Sequence, residues 1–407
     1  MGARGGDRVG SATEHHRVVV IGGGNAGISL AARLGRYGVD DVAVVEPGER
    51  HYFQPLFSHI GAGAAQMREA VRPQADVTPR GVTWIRGKAS GIEPEDNVVL
   101  LADGRRVSYG QLVVCPGVQL DWDDVPGLRA AMGDPRGTSN YDAGLVPKTW
   151  ELVRTLRSGT AVFTQPPGPA KCAGAAQKIA YMACDYWRGR GVLQDIAVVM
   201  VVPTPTVFGM PDVDRELDRK IAEYGITLRT ESTLSSVDAG AGTLELDGPR
   251  GKEALAYDLL HVVPPQSAPD WLKATDLPAA GDRGGFVEVD AFTLRHPRFA
   301  NVWALGDAAG TPNSKSGGAL RQQVKVLAKN LKAVLDGREP SQRYNGYSVC
   351  PFTLSRGTAF FAEFDEEYRP RPTFPWLRMA KERRWQWVVD RHVFPRVYWH
   401  LILKGRA

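Results

Sequence analysis

Apolar residues fall along this chain in two styles: short uninterrupted runs that suit buried strands, and longer stretches with apolar positions three and four apart, which suit one face of a helix. The first run, residues 17–21, ends in Gly22-Gly23-Gly24-Asn25-Ala26-Gly27 and is followed by the helical spacing of Ile28, Leu30, Ala31 and Leu34. A second run, 42–45, stops at Glu46, so the segment predicts strand, glycine turn, helix, strand. Three strand-like runs follow between residues 82 and 114, with Ala102-Asp103-Gly104-Arg105 as a turn between two of them. A fresh unit begins at 160–164, passes through a predicted helix over 174–187 and reaches a strongly apolar strand over 196–202. A helix over 212–224, a strand over 226–229 and a hairpin at Asp247-Gly248 follow, after which 285–307 returns to strand patterning and 316–335 to helix.

This order predicts an α/β fold with two Rossmann-like domains, the second inserted into the first. The expected division is a disordered tail over 1–16, a dinucleotide-binding domain over 17–120 and 283–337, a second Rossmann-like domain over 121–282, and a separate C-terminal segment over 338–407. A length of 407 residues is ample for that, since domains run to roughly 100–200 residues.

Charge changes the picture only at the C-terminus. The net charge of +5 is modest, and nothing in the body gathers cations as a nucleic-acid surface does, so no nucleic-acid partner is expected. Beyond Tyr368, however, ten arginines and lysines face only Glu382 and Asp390 among the acids close to them. They interleave with Trp376, Leu377, Trp385, Trp387, Val388, Phe394, Tyr398, Trp399, Leu401 and Ile402. That composition suits amphipathic segments lying in a bilayer interface, with aromatics at headgroup level and cations toward anionic lipid. No run reaches the roughly 20 apolar residues that span a bilayer, so a peripheral, monotopic membrane protein is expected.

The glycine turn carries the clearest chemistry. Gly22, Gly24 and Gly27 form G-x-G-x-x-G between strand and helix, with Asn25 and Ala26 in the same turn. The first glycine permits the turn, the second admits pyrophosphate to the backbone, and the third lets helix and strand pack closely. Glu46, about 20 residues on at the end of the second strand, is placed to accept the ribose hydroxyls. Gly306-Asp307 closes a later strand before a helix and resembles the Gly-Asp that binds the ribityl chain and phosphate of FAD in two-domain flavoprotein reductases, which makes FAD the implied cofactor. Four cysteines without CxxC or Cys/His spacing suggest neither a disulfide scaffold nor a metal site.

Four stretches together resemble the sulfide:quinone oxidoreductase family, particularly its mitochondrial-like branch: His51-Tyr52-Phe53-Gln54-Pro55 with Gly61-Ala62-Gly63; Pro169 through Lys178, containing Cys172; Gly306-Asp307 with Pro312-Asn313-Ser314-Lys315; and Tyr344-Asn345-Gly346-Tyr347-Ser348-Val349-Cys350-Pro351. The resemblance implies FAD-dependent oxidation of sulfide through Cys172 and Cys350, with a membrane quinone as acceptor. It also implies further flavin contacts at Gln54, Ala89, Pro116, Gly117 and Lys315, the lysine lying near the flavin pyrimidine. Phe352, Phe360, Tyr398 and Trp399 are candidates to line the quinone's access, and the sequence does not choose among them. The cytoplasmic face of a bacterial membrane is the expected location, and a homo-oligomer is left open.

The residues add their own argument. After the strand at 160–164 a nicotinamide site needs closely spaced glycines, whereas this chain supplies Pro166, Pro167, Pro169, Lys171 and Cys172. Cys172 stands beside Lys171 and just before a predicted helix, and a cation and a helix N-terminus both favour thiolate. The family's alternative partner position, just after Gly-Asp, holds Ala308 and Ala309, which leaves Cys350; which cysteine faces the flavin is not decided by spacing. Cys115 and Cys184 read as packing residues. His51, His59 and His261 are candidates to assist proton transfer, since imidazole as a group titrates near neutrality, but each reads first as an ordinary satisfied histidine. Two rivals remain open: a type II NADH:quinone dehydrogenase on the same plan, and a flavin-bearing membrane-associated binding protein without catalysis.

Overall fold

The computed structural model describes residues 14–172 and 174–407. Strand β1 (Glu14–Ile21) is followed by helix α1 (Asn25–Arg36), β2 (Val42–Val45), the short helix α2 (Phe57–Gly61), β3 (Val82–Ile85), β4 (Ala89–Glu93), β5 (Val98–Leu101) and the long β6 (Arg106–Val114). Val18 to Val20 have no exposed surface, and Ile28, Leu30, Ala31 and Leu34 turn the apolar face of α1 onto the sheet. The sheet order is β3-β2-β1-β6-β5-β4, with the β3-β2-β1-β6 half parallel and the β6-β5-β4 half antiparallel.

The second sheet is wholly parallel. Its order is Gly137–Thr138, β10, β7, β8, β9, where β7 is Gly159–Thr164, β8 Ile196–Val201, β9 Thr227–Arg229 and β10 Leu259–Val262. Helix α3 (Gly174–Gly189) follows β7 and buries Ile179, Ala180, Tyr181, Ala183, Cys184 and Trp187 against it. Near-continuous apolar strands such as Ile196–Val201 are what burial on both faces requires. The chain crosses between the lobes twice, and the crossings pair as Gln119–Leu120 with Gln266–Ser267. It then enters the first sheet again through β11 (Val302–Ala304), which pairs with the far end of β6, and continues into helix α4 (Gly317–Leu335).

Four expectations change. Residues 14–16, assigned to the tail, belong to β1: they pair with 107–109, and His16 bonds Asp41 at 2.6 Å; residues 1–13 lie outside the described residues. The segment 82–114 holds four strands instead of three. The first lobe resumes before residue 283, because Ala268, Leu272 and Leu277 already pack in its core. Finally, 338–407 is not one separate segment. Its first part forms the hairpin β12 (Ser348–Thr353) and β13 (Ala359–Phe364), whose Cys350, Phe352, Phe360 and Phe364 sit in the core of the second lobe. Only beyond it does the chain run out along the surface, to a helical stretch Arg384–Val388, Val389–Val393 and Phe394–His400 whose middle section is a π-type turn.

Candidate functional site

The glycine turn is built by close approach. A Cβ on Gly27 would stand 1.9 Å from the Gly22 carbonyl, and one on Gly22, where φ is +104°, would strike the Cys115 carbonyl. At Gly24 a Cβ would meet nothing within 4 Å: that glycine faces open space at the N-terminus of α1, where an anionic pyrophosphate is stabilised. Glu46 receives the Gly23 N–H at 2.7 Å and the Gly48 N–H at 2.6 Å, so its carboxylate is fixed beside the turn. A cavity of about 500 Å³ opens here, lined by Gly22, Val45, Pro47, Lys88, Ala89 and Pro116. These features fit the dinucleotide end of FAD, and Gly117 at φ +79° leaves further open space. Gly27→Ala is therefore expected to yield protein without bound flavin, read as loss of the flavin absorbance after gel filtration.

The other end of the groove is charged. Gly306 adopts φ +71° and its N–H donates to Gln323 at 2.9 Å, which aims the turn that carries Asp307. Burial raises the Asp307 carboxyl, and the Lys315 and Lys171 ammoniums offset only part of that rise. Burial brings the Lys315 ammonium down to about 8 against the opposing pull of Asp307 and Asp282. Lys315 Nζ donates to the Ala309 carbonyl at 2.9 Å and stands 3.9 Å from the centre of the Phe286 ring. Gln54 accepts from Lys171 Nζ at 2.8 Å, tying the stretch after Phe53 to the turn that carries Cys172.

The two sulfurs meet although 178 residues separate them: Cys172 Sγ and Cys350 Sγ are 3.8 Å apart. Cys172 adopts φ +51°, a conformation a non-glycine residue holds only when its surroundings over-determine it. Here its N–H donates to the Lys315 carbonyl at 2.7 Å, while its carbonyl accepts from the Ala175 N–H at 2.7 Å and from the Tyr141 hydroxyl at 3.3 Å. Cys350 arrives from the opposite direction on β12, buried over the start of α3, where a Cβ on Gly174 would lie 2.3 Å from its sulfur.

Electrostatics single out one sulfur. The Cys350 thiol donates to Cys172 and holds it down at about 6, against burial and with help from the Lys178 ammonium and the Ala175 N–H. The same hydrogen bond, followed by burial, raises Cys350 well above the usual thiol range. Both directions favour the negative charge on Cys172, the partly exposed member of the pair. Cys115 and Cys184 are fully enclosed thiols pushed up by burial, as packing residues should be.

Several contributors escape sequence reasoning. Lys178 is 3% exposed and stands one turn into α3, where only the helix period would suggest that it shares a side with Cys172. Tyr141 comes from a loop with no motif, and Asp390 from the surface helix. His59, expected to be an ordinary histidine, donates through Nε2 to Asp390 at 3.0 Å, and Thr353 donates to the same carboxylate oxygen at 3.2 Å. His51 donates through Nδ1 to the Gly23 carbonyl at 3.0 Å and accepts the Tyr398 hydroxyl at 2.6 Å, so burial leaves it neutral as a structural link to the turn. His261 is likewise held down at about 3 by burial.

The four aromatics expected at the quinone's access lie inside. Phe352 and Phe360 have no exposed surface and stack at 5.1 Å. Tyr398 packs on Phe53 with ring centres 4.4 Å apart, and Trp399 is 9% exposed under Arg72. The reason is that the C-terminal helix has two faces, and its inner face closes on α2 and the first lobe. The apolar groups left outside are Phe374, Trp376 (77% exposed), Leu377, Trp385, Val388, Val393 and Leu401, among the exposed cations Arg378, Lys381 and Arg384. Among the described residues no helix is long and apolar enough to cross a membrane.

Residues 16–324 match the family described as pyridine nucleotide-disulphide oxidoreductase. Over 97% of its length the chain is 35% identical to the mitochondrial sulfide:quinone oxidoreductase of Mus musculus, covering 88% of that protein. It is 25% identical over 81% of its length to the type II NADH:quinone oxidoreductase Ndh of Mycobacterium tuberculosis, covering 74% of that protein. The structure superposes with a TM-score of 0.82 on the X-ray structure of the sulfide:quinone oxidoreductase from the hyperthermophilic bacterium Aquifex aeolicus, at 19% identity and covering 97% of this chain and 92% of that one.

Proposed function

We propose that this chain, which belongs to the sulfide:quinone oxidoreductase family, oxidises sulfide at Cys172 and Cys350 and delivers the electrons through FAD to a membrane quinone. The observation that carries this reading is the 3.8 Å approach of the two sulfurs at the start of α3. That distance is too long for a bond of about 2.05 Å and about half an ångström longer than the ends of a bent trisulfide, so a small approach lets the pair close directly or around one extra sulfur.

In the oxidised pair, hydrosulfide attacks one cysteine sulfur. The new S–S bond forms as the old one breaks, leaving a persulfide on one cysteine and a thiolate on the other. The negative charge of the substrate therefore stays in the site. Lys178, with the Gly174 and Ala175 N–H groups at the N-terminus of α3, is placed to stabilise it. Gly22, Gly24, Asn25, Ala26, Gly27, Glu46, Gly306 and Asp307 would hold FAD, which would supply the two-electron relay between the cysteine pair and quinone. Lys315 adds a positive charge beside that groove; a nucleophilic acceptor, sulfide itself or a thiol, takes the outer sulfur of the persulfide and leaves that cysteine as thiolate, and the two cysteine sulfurs then re-form their bond as the electron pair leaves, the step for which a bound FAD would supply the acceptor.

The turn after β7 argues against the NADH dehydrogenase reading: it is filled by Cys172, held on Lys315 and Tyr141, where a nicotinamide pyrophosphate would need open glycine backbone. Anaerobic mixing separates the readings. Sulfide should bleach the flavin absorbance within the dead time of turnover and NADH should not; bleaching by NADH alone would select the dehydrogenase, and no response to either the non-catalytic protein.

The exposed indoles and cations of 374–401 support docking on an anionic lipid surface. Replacing Trp376 and Trp385 together by serine should leave sulfide-dependent bleaching in solution intact while weakening co-sedimentation with anionic liposomes by about tenfold or more.

A further inference from the structure

Peptide orientation decides whether the glycine turn can receive an anion. In a planar trans peptide the carbonyl and the N–H point opposite ways, so whatever holds the Gly23 carbonyl also aims the Gly24 N–H. Two buried side chains hold it: His51 Nδ1 donates at 3.0 Å and Gln74 Nε2 at 3.0 Å. The Gly24 N–H is therefore turned away from them, at the open N-terminus of α1. The preceding peptide is fixed as well, by the Gly23 N–H on Glu46 at 2.7 Å. A Gly23 unit free to rotate would present its carbonyl dipole to the pyrophosphate and repel it.

His51 in turn depends on a group from the far end of the chain. It is 2% exposed and kept neutral by burial, and with Nδ1 donating, its Nε2 lone pair accepts the Tyr398 hydroxyl at 2.6 Å across 347 residues. Tyr398 is itself 2% exposed, and its ring lies on Phe53. The segment just after it is pressed onto α1. Leu403 is wholly buried in one cluster with Ile28, and a Cβ on Gly405 would stand 2.7 Å from the Arg33 nitrogen. The outer side of the same helical stretch carries the exposed Trp385, Val388 and Val393. One stretch thus faces outward with apolar groups and ends inward on the hydrogen-bond relay to the glycine turn.

We propose that Tyr398 is a positioning residue for the cofactor: through His51 it fixes the Gly23 peptide with its N–H side toward the pyrophosphate of FAD, which makes the C-terminal helix part of the cofactor site. The hydroxyl settles both the tautomer and the angle of the imidazole, because a ring that accepts at Nε2 must donate at Nδ1. Without it, Nε2 is a buried acceptor lacking a partner. That cost is relieved by turning the ring or moving its proton, and either change releases the Gly23 carbonyl. Two hydrogen bonds in series also polarise one another, so the first strengthens the second. This inference rests on the placement of FAD at the Gly22–Gly27 turn.

The test reads cofactor retention and needs no turnover. Purified holoprotein is diluted well below its melting temperature, and the rate at which flavin leaves is followed by the fluorescence of free FAD. Tyr398→Phe keeps the ring on Phe53 and removes only the hydroxyl; flavin should leave about tenfold faster, the order expected for one hydrogen bond to a buried acceptor. His51→Asn keeps an amide donor for the Gly23 carbonyl and is too short to meet Tyr398, so it should release flavin at least as fast. The double variant should be no faster than His51→Asn alone, because Tyr398 acts only through His51. A merely structural tyrosine would lower the melting temperature and leave release unchanged. Unchanged release in Tyr398→Phe, or rates that multiply in the double variant, overturns the proposal. If phenylalanine is not tolerated, His51→Asn carries the test by itself, and unaltered release there overturns it equally. Failure of the FAD placement would look different: a Gly27→Ala protein would keep its flavin, whatever the changes at Tyr398 and His51 do.

Discussion

Cys350→Ser is expected to lower sulfide-dependent flavin reduction on the order of 10⁴-fold, while the flavin spectrum and the melting temperature change little. The size follows from the chemistry: without a second sulfur 3.8 Å from Cys172 there is no bond for hydrosulfide to break, and loss of one member of a nucleophilic constellation costs about as much as losing several. Serine is nearly the same size and Cys350 is enclosed by Phe352, Phe360 and α3, so the fold should persist. The remaining thiol should stay active: the hydrogen bond from position 350 is the largest cause holding Cys172 down, and a serine hydroxyl there still donates, so Cys172 should remain reactive to iodoacetamide. Stopped-flow absorbance with sulfide, paired with an alkylation assay, checks both halves. Full retained flavin reduction would remove the pair from the mechanism.

The second large effect is expected from a residue that carries no chemistry. Gly174→Ala would put a Cβ 2.3 Å from Cys350 Sγ and 2.9 Å from the Phe352 ring, neither of which has room to retreat. Overpacking of this kind costs about 1–3 kcal/mol, which a two-lobed protein of this size can survive. Catalysis should suffer more than stability, because relief comes by pushing β12 away from the start of α3, separating the sulfurs and withdrawing Cys350 from the Gly174 N–H. The expected outcome is a small drop in melting temperature with a hundredfold or greater loss of sulfide-dependent bleaching, on the order expected for a displacement of about 1 Å at reacting atoms. An alanine variant with unimpaired bleaching would mean that the glycine serves the helix alone.

The glycine turn was legible in the sequence, and the burial of the C-terminal aromatics was not. G-x-G-x-x-G with Glu46 is a local device: strand, turn, helix and second strand are contiguous, each glycine answers a steric demand from a neighbour, and the structure shows Gly27 against the Gly22 carbonyl with Gly24 facing open space. The same holds for the period of β1, α1 and β2, whose burial follows side-chain alternation and helix spacing. Tyr398 and Trp399 obeyed no such rule. Their spacing says that they share a helix face, and nothing in it says whether that face meets lipid or the first lobe; His51 and Phe53 decide it by offering a hydrogen bond and a ring.

By itself, then, the order of residues determined the two Rossmann-like units, the dinucleotide turn, the absence of glycines where a nicotinamide would sit, and Cys172 before a helix, because each of these is a property of consecutive residues. Tertiary structure alone decided that Cys350 reaches Cys172, that the hairpin carrying it belongs to the second lobe's core, and that His59 and Thr353 close on the buried Asp390 carboxylate. Those contacts join distant segments, and what creates them is the burial of apolar faces, which leaves polar groups beside one another without any signature in the intervening chain.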